Sequence, residues 1–282
     1  AILVDYAGFN MQVAKAARAA GVPVLYFITP QVWASRAGRL PKLAKVVTKA
    51  ANILPFEAPL LRQHGIDATF VGHPLLDRAM NLPTQPEARA LLNLPEHGEL
   101  LAVFPGSRRG ELKLHLPDFV ATAVELVRRR PGLHVVVATP PNVSIDMRLC
   151  PYPQRSGASF SVLRAATAGL LKSGTTTLEA AVVGLPHIVA YRTSAITFAI
   201  AKRVVTIPRI GLVNVVADRE VSKEFVQDAL VPMDMADALE PLLREGSGER
   251  AAALQGLAEV RAQLGTPGAA NRVAAMAIGM MS

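Results

Sequence analysis

The fold class is decided by one stretch of the sequence, Leu100-Leu101-Ala102-Val103-Phe104-Pro105-Gly106-Ser107-Arg108-Arg109-Gly110-Glu111. Its first five residues are apolar, which is typical of a strand buried on both faces of a parallel sheet. A glycine turn follows, and residues 111–130 then read as one long helix. A buried strand, a turn and a helix are the opening parts of a βαβ unit, so the stretch predicts an α/β fold.

The same alternation continues on both sides of this stretch. Apolar runs and glycine stops predict strands over 2–5, 24–27, 51–54, 68–71, 133–138, 168–171 and 187–190, and helices over 10–20, 56–64, 176–183 and from about 231 onward. The turn-rich segment 81–86 reads as a linker. We therefore expect two Rossmann-like domains facing a cleft, with residues 1–80 in the first and 87–282, including a helical C-terminal segment, in the second.

The composition restricts the kinds of partner. The 282 residues are 51% hydrophobic and 18% charged, and the net charge is +8. A basic chain suits nucleic acid, an anionic membrane surface or a phosphorylated small substrate. The basic residues are spread along the chain and no nucleic-acid-binding motif is visible, so no nucleic acid partner is expected. No apolar run is long enough to predict a transmembrane helix.

Cysteine and histidine usage points to a metal-free protein of a reducing compartment. Cys150 is the single cysteine of the sequence, and the six histidines lack metal-ligand spacing. We therefore expect neither a disulfide framework nor a metal site, and a cytoplasmic location. The sequence opens at Ala1 inside an apolar strand and without methionine, so we expect that the first domain is incomplete.

Two loops that follow predicted strands carry candidate phosphate ligands. In the first loop Ser107 and Arg108 precede a helix, whose free N–H groups favour an anion. The alternative is a tight turn with a surface arginine, and the Gly-Lys-Ser/Thr of a Walker A loop is absent. The second loop contains Ser173, Gly174 and Thr175. Glu179 follows it on a helix, where a carboxylate could accept both hydroxyls of a ribose or cap the backbone.

Further candidate residues are weaker by themselves. Asp5 ends a predicted strand, where it could be a general base or a turn residue. Asn214 lies in an apolar run, where its amide could bind a ligand or its own backbone. Trp33 could border a sugar or acyl site or belong to the core, and His73 before Pro74 reads as a turn residue.

The order of these motifs along the whole chain resembles that of the lipid-A-disaccharide synthase family. The motifs are Asp-Tyr-x-Gly-Phe-Asn from Asp5, Gln-Val-Trp-Ala from Gln31, Leu-Pro-Phe-Glu from Leu54, Val-Gly-His-Pro-Leu from Val71, Pro-Gly-Ser-Arg-x-x-Glu from Pro105, Ser-Gly-Thr-x-Thr-Leu-Glu from Ser173, and Leu-x-Asn from Leu212.

The resemblance implies a glycosyltransferase of the GT-B type, with an acceptor domain followed by a UDP-sugar donor domain. The implied reaction joins UDP-2,3-diacylglucosamine to 2,3-diacylglucosamine 1-phosphate through a β-1,6 bond and releases UDP, without cofactor or metal. Asp5 is then the candidate catalytic base. The implied donor-binding residues are Ser107, Arg108, Ser173, Gly174, Thr175, Glu179 and Asn214.

The resemblance also implies a location and leaves alternatives. Acylated substrates imply a peripheral protein on the cytoplasmic, anionic surface of the inner membrane. The family's opening Gly-Glu-x-Ser-Gly-Asp loop is absent from this sequence. The alternatives are another UDP-N-acetylglucosamine-type transferase, a UDP-N-acetylglucosamine epimerase of related fold, and an inactive UDP-binding fragment.

Overall fold

Residues 1–35, 38, 40–141, 143–195, 197–198 and 208–281 are described by a computed structural model. The chain divides into two units. Unit 1 combines Ala1–Met80 with a segment that begins at Ala262, and unit 2 contains Asn81–Phe198 and Arg209–Arg261. No helix within these described ranges is both long and apolar enough to span a membrane.

Unit 1 is built on a parallel sheet of four strands in sequence order. The register places Leu25 opposite both Ile2 and Lys49. Its first elements are β1 (Ile2–Val4), α1 (Ala7–Ala19), β2 (Leu25–Phe27), α2 (Val32–Ser35), α3 (Leu40–Ala44), β3 (Lys49–Asn52), α4 (Glu57–Gln63), β4 (Asp67–Phe70) and α5 (Leu75–Arg78). The predicted strand at 51–54 is displaced, because the turn that begins near Leu54 ends β3 at Asn52.

Unit 2 contains the longer series of strands and helices. The elements are α6 (Gln85–Leu91), β5 (Leu100–Phe104), α7 (Arg109–Arg129), β6 (His134–Thr139), β7 (Gln154–Ser156), α8 (Ser159–Ala165), β8 (Ala168–Lys172), α9 (Thr176–Val183), β9 (His187–Tyr191), α10 (Leu212–Ala217), β10 (Glu224–Val226), a 3-10 turn (Gln227–Ala229), α11 (Pro232–Leu243) and α12 (Gly248–Gln263).

The second sheet has a switch in strand order that fixes where a ligand can bind. Its strands are all parallel and follow the order β10-β9-β8-β5-β6-β7. From β5 the chain first builds outward through β6 and β7, and it then returns to the other side of β5 with β8. Ligands of open α/β sheets bind beyond the carboxyl ends of the strands at such a switch point. Here that place is between the ends of β5 and β8.

The core of unit 2 confirms the reading of Leu100–Phe104 as a buried strand. All five residues of β5 are buried, and Leu101 and Val103 pack against α7 residues such as Phe119 and Leu126. The other face of β5, with Leu100 and Ala102, belongs to a separate apolar cluster with α8. Both faces of the sheet are therefore covered by helices, as expected for parallel strands.

The C-terminal helix differs from the predicted division of the chain. The last helix, α13 (Ala269–Ile278), belongs to unit 1, whereas the sequence suggested that residues 87–282 form the second domain. Val273 of this helix packs against Leu25, Ala51 and Val71 of the first sheet. Burial of this apolar face, rather than nearness in sequence, decides which unit the helix joins.

The segment 81–86 is only in part the linker that its composition suggests. Thr84 is the N-cap of α6, and its N–H and hydroxyl both donate to Glu87 Oε2, at 2.8 and 2.7 Å. Gln85 Nε2 donates to the carbonyl of Ala166 at 3.0 Å. Asn81 and the residues after it belong to unit 2. A capping box therefore starts a helix of unit 2 within the turn-rich stretch.

Candidate functional site

A cavity of about 340 Å³ lies at the switch point of the second sheet. It is open to ligands at the carboxyl ends of β5, β6 and β8. The described residues that line it are Phe104, Gly106, Ser107, Glu111, Ala138, Thr139, Pro140, Pro141, Gly157, Ser159, Lys172, Ser173, Gly174, Thr175, Thr176 and Glu179. Five of the seven predicted donor-binding residues belong to this lining, and Arg108 and Asn214 do not.

The first loop holds its donors around the carboxylate of Glu111. The Ser107 N–H and hydroxyl donate to Glu111 Oε2 at 2.8 and 3.3 Å. Lys172 Nζ, which is 17% exposed, donates to Glu111 Oε1 at 3.1 Å. These groups are the kind that bind phosphate oxygens. In this structure all three donors point to the Glu111 carboxylate.

The electrostatics at Glu111 match this arrangement. Burial is the largest influence and by itself raises the pKa of Glu111, but the Ser107 N–H and the Lys172 ammonium outweigh it and hold the pKa below its usual value. Glu111 is therefore ionised at neutral pH. Arg108, the predicted phosphate ligand, has a side chain that is 82% exposed, with Nη1 3.6 Å from Glu111 Oε1.

Gly106 is required by the geometry of the first loop. Its φ of 138° lies in a region that residues with a side chain rarely adopt. A Cβ at this position would come within 2.6 Å of Glu111 Cβ. The absence of a side chain lets the loop close against α7.

The second loop brings hydroxyl and carboxylate groups to the opposite wall. Ser173, Gly174 and Thr175 join β8 to α9, and Gly174 has a φ of 154°. Glu179 is 8% exposed and accepts a hydrogen bond from the Ser159 hydroxyl. A ligand in the cavity can therefore contact N–H groups at the start of two helices, one cation and one buried carboxylate.

Asn214 is buried behind this loop and acts within the chain. Its Nδ2 donates to Glu224 Oε1 at 2.8 Å and to the Ser222 carbonyl at 2.6 Å, and its Oδ1 accepts from the N–H groups of Val221 and Ser222. Glu224 in turn accepts from the N–H of Ile210 and Gly211, and the Ile210 carbonyl accepts from the Ser173 hydroxyl at 2.7 Å. The contacts link Asn214 to a cavity residue through Glu224.

Asp5 lies in unit 1, at the end of β1, in an unusual backbone conformation. Asp5 and Tyr6 both have a positive φ, 47° and 45°. Asn10 Nδ2 donates to the Val4 and Asp5 carbonyls at 2.9 and 2.7 Å, and the Tyr26 hydroxyl donates to the Asp5 carbonyl at 2.8 Å. Such strain costs about 1–3 kcal/mol per residue and is concentrated at functional sites. Asn10 and Tyr26 thus hold the turn that carries the exposed Asp5 side chain.

Tyr26 remains a hydrogen-bond donor at every physiological pH. Burial of its phenol and the nearby Asp5 carboxylate raise the pKa of Tyr26 to about 12. The protonated hydroxyl can therefore hold the turn at Asp5. The sequence pattern Asp-Tyr-x-Gly-Phe-Asn has a structural reason, because its asparagine secures the turn that its aspartate begins.

The Trp33 motif is also structural in part. Trp33 Nε1 donates to Glu57 Oε1 at 3.0 Å, and its ring meets Phe56 edge to face at 4.9 Å between centroids. Glu57 Oε2 accepts from the Leu54 N–H at 3.2 Å. Burial raises the pKa of Glu57. The Gln-Val-Trp-Ala and Leu-Pro-Phe-Glu motifs are thus two sides of one contact in unit 1.

Several polar residues of the cavity are not among the predicted site residues, and they include Glu111, Lys172 and Ser159. Glu111 was part of the quoted motif, and Lys172 immediately precedes Ser173, so both had a signal in position. Glu111 and Lys172, which contact each other, are 61 positions apart in the sequence, and Ser159 and Glu179 are 20 positions apart. Only the folded sheet brings these groups together.

The folds of solved structures agree with this architecture. UDP-GlcNAc 2-epimerase from Neisseria meningitidis, solved with UDP-GlcNAc, superposes with a TM-score of 0.61 at 12% identity over 99% of this chain and 76% of that one. S. aureus MnaA, solved with UDP, gives 0.63 at 12% over 97% and 73%. The glycotransferase of kitacinnamycin gives 0.59 at 15% over 98% and 74%. At these identities the likeness concerns the fold alone.

The fold defines a structural class, the GT-B type with Rossmann-like domains. Sequence comparison is more specific. The family model described as Lipid-A-disaccharide synthetase matches residues 1–275. The chain belongs to the lipid-A-disaccharide synthase family, and it is a glycosyltransferase that forms the lipid A disaccharide.

Relatives in this family are similar over almost the whole chain. The lipid-A-disaccharide synthase of Trichlorobacter lovleyi is 38% identical over 288 residues, which cover 99% of this chain and 75% of the relative. That of Syntrophus aciditrophicus is 38% identical over 295 residues, which cover 98% of this chain and 74% of the relative. The chain thus spans about three quarters of the length of these relatives.

Proposed function

We propose that the chain transfers the sugar of UDP-2,3-diacylglucosamine to the 6-hydroxyl of 2,3-diacylglucosamine 1-phosphate. The observation that carries the donor assignment is the convergence of two helix-initiating loops and Lys172 on one cavity at the switch point. Such a site suits the diphosphate of a nucleotide sugar. The buried Glu179 carboxylate suits the ribose hydroxyls.

The chemistry follows from the charge that develops on the departing UDP. The acceptor oxygen attacks the anomeric carbon, the bond from that carbon to the UDP oxygen breaks, and the configuration inverts. Lys172, Arg108 and the N–H groups of the two loops stabilise the diphosphate as it leaves. Asp5 takes the proton of the attacking hydroxyl. Unit 2 is the donor domain in this proposal, and unit 1 is the acceptor domain.

Calorimetric titration with UDP, without added metal, tests the donor site. The unmodified chain is expected to bind UDP in the micromolar range, and Glu179→Ala to weaken binding by at least about tenfold. Glu220→Ala, which removes an exposed carboxylate of the same unit, is the matched control and leaves the affinity unchanged. Equal affinities for all three proteins would refute the role of Glu179.

A transfer assay with both acylated substrates distinguishes the proposed glycosyltransferase from an inactive UDP-binding fragment and from an epimerase. Disaccharide formation that falls about 10²- to 10⁴-fold in kcat for Asp5→Asn, with UDP affinity unchanged, supports the proposal. UDP binding without transfer identifies an inactive UDP-binding fragment. Conversion of UDP-N-acetylglucosamine to its epimer identifies an epimerase.

The proposal includes a place of action, the anionic cytoplasmic surface of the inner membrane. The net charge of +8 favours such a surface. In unit 1, Tyr6 and Phe9 are 72% and 61% exposed and form a ring pair 6.4 Å apart. Exposed aromatic side chains can insert at the boundary between headgroups and acyl chains.

Co-sedimentation with vesicles tests this location. We expect binding to vesicles that contain phosphatidylglycerol, and a several-fold weaker binding for Phe9→Ser. Leu91→Ser is the control, because Leu91 is 70% exposed in unit 2. Failure of the unmodified chain to bind these vesicles would remove the membrane from the proposal.

A further inference from the structure

A second concavity lies in unit 2 beside the candidate site. Its volume is about 720 Å³, within the range of small-molecule sites. One wall is the face of α7, and the other is the loop after β6. The described lining residues are Arg109, Leu112, Lys113, Leu116, Pro117, Val120, Ala121, Val143, Ser144, Ile145, Asp146, Arg148 and Leu149, which we call the α7 groove.

Both walls of the α7 groove continue into the walls of the candidate site. On α7, Glu111 lines the cavity and its neighbour Leu112 lines the groove. On the opposite wall, Pro141 lines the cavity and Val143 lines the groove. No residue belongs to both linings, so the two are separate spaces that adjoin along the start of one helix. The residues that line the cavity and those that line the groove thus follow one another along the chain on both walls.

The floor of the groove is aliphatic. Leu112 and Leu116, one turn apart on α7, and Ile145 on the opposite wall are each 7% exposed. The described lining contains no aromatic side chain, on which a base or a sugar ring would stack. A flexible hydrocarbon chain is the chemistry that such walls accommodate.

The rim of the groove is basic. Arg109 and Lys113 are exposed on the α7 side, and neither forms an ion pair within the described part of the chain. Arg148 on the other side is paired with Asp146 at 2.6 Å. An apolar channel with a cationic rim complements an amphiphile whose apolar chain is attached near an anionic group.

We propose that the α7 groove holds an acyl chain of the sugar nucleotide whose diphosphate binds in the adjoining cavity. The proposal rests on the proposed function, which supplies a donor with acyl chains. It goes further by naming where a chain lies and which residues select it. The acyl chain then contributes to donor binding through Leu112, Leu116 and Ile145.

Filling the groove from its exposed edge tests the proposal with little risk to folding. Ala121 is an exposed lining residue of α7, and Ala121→Phe places a ring in the groove. Leu149→Asp introduces a charge at a lining residue that is 64% exposed. Val124→Phe is the matched control, because Val124 is 51% exposed on the same helix and outside the lining.

The measurements compare an acylated with an unacylated ligand. The unmodified chain is expected to bind UDP-2,3-diacylglucosamine at least about tenfold more tightly than UDP-N-acetylglucosamine. Ala121→Phe and Leu149→Asp should remove most of this difference and leave the affinity for UDP unchanged. Val124→Phe should preserve it.

The outcomes separate this proposal from the function it rests on. Failure of the unmodified chain to bind UDP or to transfer would overturn the proposed function itself. With UDP binding intact, an unchanged preference for the acylated donor in both groove variants would overturn the acyl site. Loss of binding to phosphatidylglycerol vesicles in those variants, without any change in donor affinity, would also overturn it and identify a phospholipid site.

Discussion

At the scale of single residues, the first loop depends on a position without a side chain. Gly106→Ala would force a Cβ into the 2.6 Å approach to Glu111 Cβ at a φ of 138°. We expect this variant to lose UDP affinity by at least about tenfold in calorimetry, because the Ser107 N–H and hydroxyl would be displaced.

Gly110→Ala is the matched control for this change. A Cβ at Gly110 meets nothing within 4 Å, and the residue lies in the first turn of α7. Alanine is favoured over glycine in a helix by about 1 kcal/mol, so this variant should bind UDP normally and melt at the same or a higher temperature. Normal UDP binding by Gly106→Ala would contradict the structural account of the loop.

The residues of the cavity could be predicted from the sequence only where they belong to one of the two loops that join a strand to a helix. Ser107 and Ser173 follow strands and precede helices, and this order alone predicts an anion site. The sequence suggested Arg108 as the main cation. The lining of the cavity instead contains Lys172, because β8 runs beside β5 and directs this side chain to Glu111.

At the scale of elements, α10 supports the second loop through hydrogen bonds. Asn214→Ala would remove one of the donors to the Glu224 carboxylate and would leave the N–H groups of Val221 and Ser222 without their partner. Each buried unsatisfied group costs about 1–3 kcal/mol. We expect a lower melting temperature and, at temperatures where the variant is folded, a several-fold weaker UDP binding, because the Glu224 carboxylate that holds Ile210, and through it Ser173, is less firmly positioned.

Gln255→Ala, a change on the exposed face of α12, is the control for general effects of truncating an amide. A reduced melting temperature for Asn214→Ala together with unchanged UDP affinity would show that the asparagine serves stability alone. Calorimetry and melting curves on the same samples decide between these results.

Elements were predictable where apolar runs were long and both faces of a strand were buried. Strands such as Leu100–Phe104 and Ala168–Lys172 lie where the sequence placed them, within one residue. The strand Gln154–Ser156 was missed because its polar residues lie at the edge of the sheet, in a stretch rich in proline. Pairing with β6, rather than local propensity, makes it a strand.

At the scale of the whole molecule, three buried histidines, His73, His115 and His187, link stability to pH, because burial lowers the pKa of each. Burial lowers the pKa of His73 in unit 1 and of His187 in unit 2 to about 4. Below about pH 6.5 the unfolded chain binds protons at these residues that the folded chain excludes. Their contribution is therefore complete above pH 6.5 and is lost as the pH falls toward 4.

Urea unfolding at pH 8 and pH 5 measures this effect. Protonation of His73 and of His187 should each reduce the free energy of unfolding by about 2 kcal/mol between these values. His187→Gln should show a smaller difference between the two pH values for unit 2, whereas His97→Gln, at a side chain that is 90% exposed, should behave like the unmodified chain. A pH dependence unaffected by His187→Gln would contradict the assignment.

The helix α13 gives unit 1 an unusual history during synthesis. The ribosome synthesises Leu25 and Ala51 before unit 2, but Val273, which covers them, is synthesised after it. Arg272, whose Nε donates to the Val71 carbonyl at 2.8 Å, arrives equally late. Domains usually fold in the order in which they are synthesised. Here unit 2 can fold while the nascent unit 1 still has an uncovered apolar face, so unit 1 is the one that needs protection from aggregation until α13 has been synthesised.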